Sequence, residues 1–255
     1  MNLTDLTNNL NLAALYLEQG RYTEAEPLFI RALSFLEELL GKNHPDLAIS
    51  LIGLAALYEN QGRYTEAEPL YIRSLSILEQ QLGENHPDVA TSLNNLAELY
   101  RKQGRYTEAE PLHIRALSIY EQQLGENHPY VATSLNNLAA LYYNQGRYTE
   151  AEPLYIRALF IYEQQLGENH PDVATSLNNL AGLYRNQGRY TEAEPLYILA
   201  LSITEQQLGE NHPSVVTILN NLALLYDNQG RYTEAASIIQ CAQSIQERLL
   251  KSNDS

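Results

Sequence analysis

Apolar residues recur along the chain in two kinds of block, separated by short polar turns. After Pro87, the residues Val89, Leu93, Leu96, Ala97 and Tyr100 fall at i, i+4, i+7, i+8 and i+11, one stripe of an α-helix, here helix A. Pro87 suits a first turn, where a missing N–H costs nothing, and Asp88 puts a carboxylate beside the positive end of the helix dipole. Gly104 supplies the left-handed conformation that ends a helix. A second block, helix B, carries Ala109, Leu112, Ile114, Ala116, Leu117, Ile119, Tyr120 and Leu124, a band too wide for one neighbour, so this helix is expected to pack on two sides. At its start Thr107 and Glu110 read as a capping box, with Pro111 in the first turn. Gly125-Glu126-Asn127 closes the unit with another turn that tolerates the left-handed conformation.

The two blocks repeat. Gln-Gly-Arg-Tyr-Thr-Glu-Ala begins at Gln19, Gln61, Gln103, Gln145, Gln187 and Gln229, and Asn-His-Pro places a histidine at His44, His86, His128, His170 and His212. Six copies with a period of 42 residues therefore make up nearly the whole chain. The expected fold is all-α: a right-handed superhelical solenoid of six helix-turn-helix repeats at 4–44, 45–86, 87–128, 129–170, 171–212 and 213–251, forming one solenoid domain over 1–251 with a polar tail at 252–255. Each helix B touches its own helix A and the next one, so no unit buries its apolar surface alone.

The pattern Leu93, Leu96, Ala97, Tyr100, Gly104, Tyr106, Ala109, Ala116 resembles the tetratricopeptide repeat, whose usual unit is about 34 residues. The longer unit, with Leu-Asn-Asn-Leu-Ala, Gln-Gly-Arg-Tyr-Thr-Glu-Ala-Glu-Pro and Leu-Gly-Glu-Asn-His-Pro, is similar to the repeats of kinesin light chains and their prokaryotic, repeat-only relatives. That resemblance implies a scaffold that binds a partner. No heptad region precedes the repeats, so it implies the cargo-binding half of the kinesin light chain role and not docking on a motor.

At the two ends the pattern changes. In the last helix B, Gln240, Gln243 and Gln246 replace the Ile114, Leu117 and Tyr120 of the third copy, and in the first unit Asn9 replaces an apolar residue among Thr4, Asp5, Thr7 and Asn8. These read as polar caps of a finished array. Charge narrows the partner further: 255 residues carry 16 Lys and Arg against 31 Asp and Glu, a net −15, which argues against a nucleic acid or an anionic membrane. The single Cys241, read as a buried or half-buried inert thiol, and the lack of a leader-like or membrane-spanning N-terminus suggest a cytoplasmic protein.

Chemistry is hard to find. The periodic histidines sit in turns separated by two helix layers of roughly 8–10 Å each, too far apart to share a metal. They read instead as turn residues that cap helices. His113 replaces a Tyr of other copies and reads as a packing variant, and the recurring Glu108 and Glu110 read as caps and not as an acid/base pair. No phosphate loop, nucleophile elbow or metal motif occurs, so no catalytic residue, metal or cofactor is expected and the protein is not expected to be an enzyme.

A binding surface is easier to place. Opposite the buried stripe, helix A carries Thr91, Asn95, Glu98 and Lys102, with Asn94 and Arg101 on the flank, and in a right-handed stack this side lines the concave groove. Across the middle copies it presents a ladder of amides, Asn94-Asn95, Asn136-Asn137, Asn178-Asn179 and Asn220-Asn221. An Asn side chain donates and accepts, and can therefore pair with the backbone of an extended peptide whatever its side chains. The resemblance implies that the second of each pair, Asn95, Asn137, Asn179 and Asn221, clamps that backbone. The first two copies depart from the ladder, with Asn11 alone and Ile52-Gly53 in place of the pair. Positions that differ between copies are candidates for selectivity: Glu98, Ala140, Gly182 and Leu224, and beside them Arg101, Tyr143, Arg185 and Asp227. Arg101, Lys102 and Arg185 against Glu98 give a local charge of +2. The expected ligand is an extended peptide or protein partner with an acidic residue and an apolar anchor, the anchor entering near Ala140 or Gly182 beside Tyr143. The alternatives are a self-associating structural solenoid, with the chain a monomer or weakly self-associating, and a regulatory module of a multidomain signalling protein.

Overall fold

The structure is a computed structural model that describes residues 3–253, with side chains from 5 to 250. The Thr4 side chain and the expected tail at 252–255 lie outside the described side chains. Among the described residues there are twelve α-helices and no strand. In chain order they are α1 Leu3–Glu18, α2 Tyr22–Leu40, α3 Leu47–Asn60, α4 Tyr64–Leu82, α5 Pro87–Lys102, α6 Tyr106–Leu124, α7 Pro129–Asn144, α8 Tyr148–Leu166, α9 Pro171–Asn186, α10 Tyr190–Leu208, α11 Pro213–Asn228 and α12 Tyr232–Asn253. Odd helices are the A helices and even ones the B helices.

The chain forms two compact units, Met1–Glu126 with α1 to α6 and Asn127–Ser255 with α7 to α12. Within each unit the order of contacts is that of a solenoid of stacked helix hairpins. Every A pairs with its own B; α2 also packs on α3, α4 on α5, α8 on α9 and α10 on α11. Helices α2, α4, α8 and α10 therefore pack on two sides. In the first unit one cluster of buried side chains, Leu6, Ala32, Leu36, Leu47, Leu51 and Ile77, joins four successive helices. The expected helix A stripe is the core: Val89, Leu93 and Ala97 are fully buried, and Leu96 and Tyr100 nearly so. The wide band on helix B is less fully covered. Ile114 is exposed, as are its equivalents Ile30, Ile72, Ile156 and Ile198, so part of that band faces outward.

The turn residues act locally. The Nδ1 atoms of His86, His128, His170 and His212 accept hydrogen bonds of 3.1–3.2 Å from the backbone N–H two residues on, so each histidine is the N-cap of a helix A with proline behind it. At the other end of α5, Gly104 at φ +74° donates to Arg101 O and Arg105 N donates to Tyr100 O, the two bonds of a Schellman turn.

The expected capping box is not formed. Helix α6 begins at Tyr106 behind Arg105, whose side chain makes no cap bond, and Thr107 already lies inside the helix. Pro111 is accordingly the sixth helical residue, two residues deeper than a Thr107 cap would place it. The recurring glutamates serve ion pairs. The Arg105 guanidinium lies 4.0 Å over the Tyr100 ring, donates from Nε and Nη2 to Glu108 at 2.9 and 2.6 Å, and donates from Nη1 to Glu68 of the preceding copy at 2.8 Å. The Tyr100 hydroxyl donates to the same Glu68. Arg189 and Arg231 repeat this set with Tyr184 and Tyr226. One further expectation fails: Cys241 is exposed.

Candidate functional site

The A helices hold the amides, and burial sorts them into two kinds. Asn94 and Asn136 are buried and turned inward. Asn94 Oδ1 lies 2.9 Å from His113 Nδ1, and Asn136 Nδ2 donates to Ser176 Oγ at 2.8 Å, tying α7 to α9. His113 is itself fully buried, and its removal from water lowers its pKa to about 4, so the ring is neutral and structural near pH 7. The second amides, Asn95, Asn137 and Asn179, are half-buried and make no side-chain hydrogen bond to the described residues. Asn178 and Asn221 are bonded to each other, Nδ2 of Asn221 donating to Oδ1 of Asn178 at 3.0 Å. Asn220 is exposed.

The expected positive charge is mostly cancelled. Arg101 donates to Glu98 at 2.7 and 2.5 Å, and Lys102 donates to Glu59 at 2.6 Å. Glu59, missed in the sequence because it occupies the arginine position of copy two, is nearly buried and also accepts from the Tyr71 hydroxyl at 2.8 Å. Arg185 alone of the three cations lacks a carboxylate partner among the described residues; its Nε and Nη2 donate to Asn186 Oδ1.

Cavities open along the A helices. A polar one of about 110 Å³ in the second unit is lined by Tyr143, Tyr155, Asn178, Asn179, Gly182, Arg185, Tyr197 and Asn221, bringing together six of the expected residues around one space. Two others occupy one register, three repeats apart. The larger, about 340 Å³, is lined by Pro45, Ala48, Ile49, Ile52, Leu78 and Leu82 with Asp46, Asp88 and Thr91 at its edge. Its counterpart, about 280 Å³, lies between Thr175, Asn178, Asn179, Thr204, Leu208 and Thr217. Their cause is a single helix B position. In the copies between, Tyr120 and Tyr162 fill this space and meet Thr91 and Thr133 hydroxyl to hydroxyl at 2.7 Å. Leu78 and Thr204 stand where those tyrosines would and leave the space open.

The tetratricopeptide repeat family matches residues 4–61, 51–122, 88–162, 130–197 and 172–248. The chain belongs to this family. Its 42-residue tetratricopeptide repeats are of the kinesin light chain-like type. The structure is similar to BtubC (BKLC) from P. vanneervenii, 25% identical with 96% of this chain and 92% of that one covered at a TM-score of 0.69. It is also similar to a putative kinesin light chain from Podosopora anserina with nearly identical repeats, 29% identical over 80% of this chain and 97% of that one, TM-score 0.64. At 16% identity the fold alone is shared with NprR in complex with its cognate peptide NprX, covering 97% of this chain and 69% of that one, TM-score 0.69. No curated protein matches the chain in sequence.

Within the tetratricopeptide frame, loss of the amide pair in copy two has a steric cause. A Cβ at Gly53, the position equivalent to Asn95, would stand 2.4 Å from the Phe29 ring, so the ring takes the space of the amide. The apolar cavity at Ile49 and Ile52 was not anticipated; its signal was available in the departure of Leu78 from the Tyr of copies three and four. No helix among the described residues is long and apolar enough to cross a membrane, and no three His, Cys, Asp or Glu side chains among them are grouped to hold a metal.

Proposed function

We propose that this chain is an interaction scaffold, without catalytic activity of its own, that binds an extended peptide segment of a partner protein along the exposed sides of its A helices. The observation that carries this reading is the set of half-buried, unbonded amides at Asn95, Asn137 and Asn179, recurring at the repeat period. A half-buried amide without a protein partner is left to water, and a peptide backbone offers it a donor and an acceptor. A neighbour of this fold, NprR, is seen with its cognate peptide, which adds support for the class of ligand. The inward Asn94 and Asn136 are already used, so the clamp is assigned to the second amides, with Asn221 engaged through Asn178.

An apolar anchor fits the cavity at Ile49, Ile52, Leu78 and Leu82 better than the polar space at Gly182. A panel of short peptides that varies charge and anchor, read by fluorescence anisotropy against the intact protein, tests the scaffold. The Asn137→Ala, Asn179→Ala double variant is expected to weaken the best peptide by about tenfold, the loss of one to two net hydrogen bonds. Unchanged affinity in a folded double variant removes the clamp.

A further inference from the structure

Two residues that line the cavity at Gly182 each carry a buried polar atom without a partner, Tyr197 Oη and Arg185 Nη1. Tyr197 is fully buried, and its hydroxyl lies 3.5 Å from where a Cβ on residue 182 would stand. A cationic N–H and a phenol on residues that line one small space, with Asn179 on its wall, form a donor set that suits an anion.

The chain itself shows which anion these positions take. Tyr71 occupies in copy two the position of Tyr197, and its hydroxyl donates to the Glu59 carboxylate at 2.8 Å. Arg101 occupies in copy three the position of Arg185, and it donates to the Glu98 carboxylate at 2.7 and 2.5 Å. Copy five holds the tyrosine and the arginine together. It has Gly182 where copy three has Glu98, and its Glu59 position is taken by Arg185 itself. Both donors are kept and both carboxylates are missing.

We infer that the Gly182 cavity is a carboxylate-binding site, completed by an acidic group of the bound peptide that stands between Arg185 and Tyr197. Its volume of about 110 Å³ has room for a carboxylate on a short stem. The inference rests on the scaffold reading and names the chemistry recognised at one point of it.

The test uses the full chain labelled with ¹⁵N at arginine, following the Arg185 Nε–Hε signal, assigned by its loss in Arg185→Met. The probes are acetyl-Ala-Ala-Asp-Ala-Ala-amide, its Asn counterpart, sodium acetate and sodium phosphate. The Asp peptide is expected to move the signal to saturation with an affinity about tenfold above that of the Asn peptide. Acetate is expected to move the same signal at higher concentration. Gly182→Glu, which installs the carboxylate of copy three, is expected to remove the preference for Asp while its melting temperature is kept or raised. Equal affinity for the Asp and Asn peptides overturns the inference, and so does phosphate binding more tightly than either carboxylate, which makes the site one for free oxyanions. The scaffold reading is scored separately. If both peptides bind equally and both weaken in the Asn137→Ala, Asn179→Ala variant, the scaffold stands and the carboxylate site falls. If no peptide binds but acetate still moves the signal, the scaffold reading falls and the peptide-completed site falls with it, leaving a receptor for free carboxylates.

Discussion

The arginine of each Gln-Gly-Arg-Tyr turn joins a ring, a glutamate of its own helix and, from copy to copy within a unit, a glutamate of the preceding one. Hydrogen bonding to Arg63, Arg105, Arg147, Arg189 and Arg231 holds the carboxyls of Glu66, Glu108, Glu150, Glu192 and Glu234 below the usual carboxylate range. The sign follows directly: a lowered folded-state pKa stabilises above the unfolded value, and that contribution is lost as pH falls through the folded one. Burial raises Glu163 and Glu205 instead, with the opposite sign, but two groups do not offset five. The melting temperature followed by circular dichroism is therefore expected to fall as pH drops below about 4.5, within the ordinary carboxylate range, and Arg189→Ala should show a shallower fall. His113 adds a loss of the same sign that begins higher, between about 6.5 and 4, because its buried ring resists the proton that the unfolded chain takes up there. These roles were only half legible in the sequence. The Thr-Glu-Ala-Glu spacing fits a capping box as well as it fits ion pairs, and the choice depended on where Arg105 leaves the helix, at φ −82° and ψ 59°.

Among the elements, the helix A starts are the most readable, since His-Pro before an apolar stripe is a local signal and the bond it makes is local. His128→Ala removes the acceptor for the Tyr130 N–H and is expected to cost about 1 kcal/mol in urea unfolding. At the end of α6 Gly125 has φ +89° and ψ 153°, a backbone conformation kept essentially to glycine, and Gly125→Ala should cost about 1–3 kcal/mol through the backbone alone, because nothing lies within 4 Å of the added Cβ. Gly53→Ala fails for another reason: its Cβ would meet Phe29 Cε1 at 2.4 Å, and the expected cost is about 1–3 kcal/mol of overpacking. Combining it with Phe29→Leu should recover part of that loss, whereas a backbone effect would persist. The Phe29 contact joins residues far apart in sequence, which is why Gly53 read only as a lapse in the amide ladder.

At the scale of the whole chain, burial is uneven. Helix α5 buries nine side chains, while α1 buries Leu6 and Ala13 among its described residues. Backbone amides of α1 are therefore expected to exchange with solvent at lower protection than those of α5, since a helix pair with less buried apolar surface opens at lower free energy; equal protection would mean that a unit unfolds as one block. The all-α hairpin solenoid was legible in the sequence because a repeat of 42 residues, its two apolar stripes and its glycine and His-Pro turns all act within a few helical turns. The amide ladder was legible as a row of positions. Which amides face inward, which cations are neutralised, and where a space opens depended on side chains one repeat apart in contact, such as Lys102 with Glu59 and Asn136 with Ser176. Sequence by itself determined the elements and their order, for which local spacing suffices. The tertiary structure decided that Arg185 and Tyr197 share one buried space, because that depends on the packing of α9 against α10.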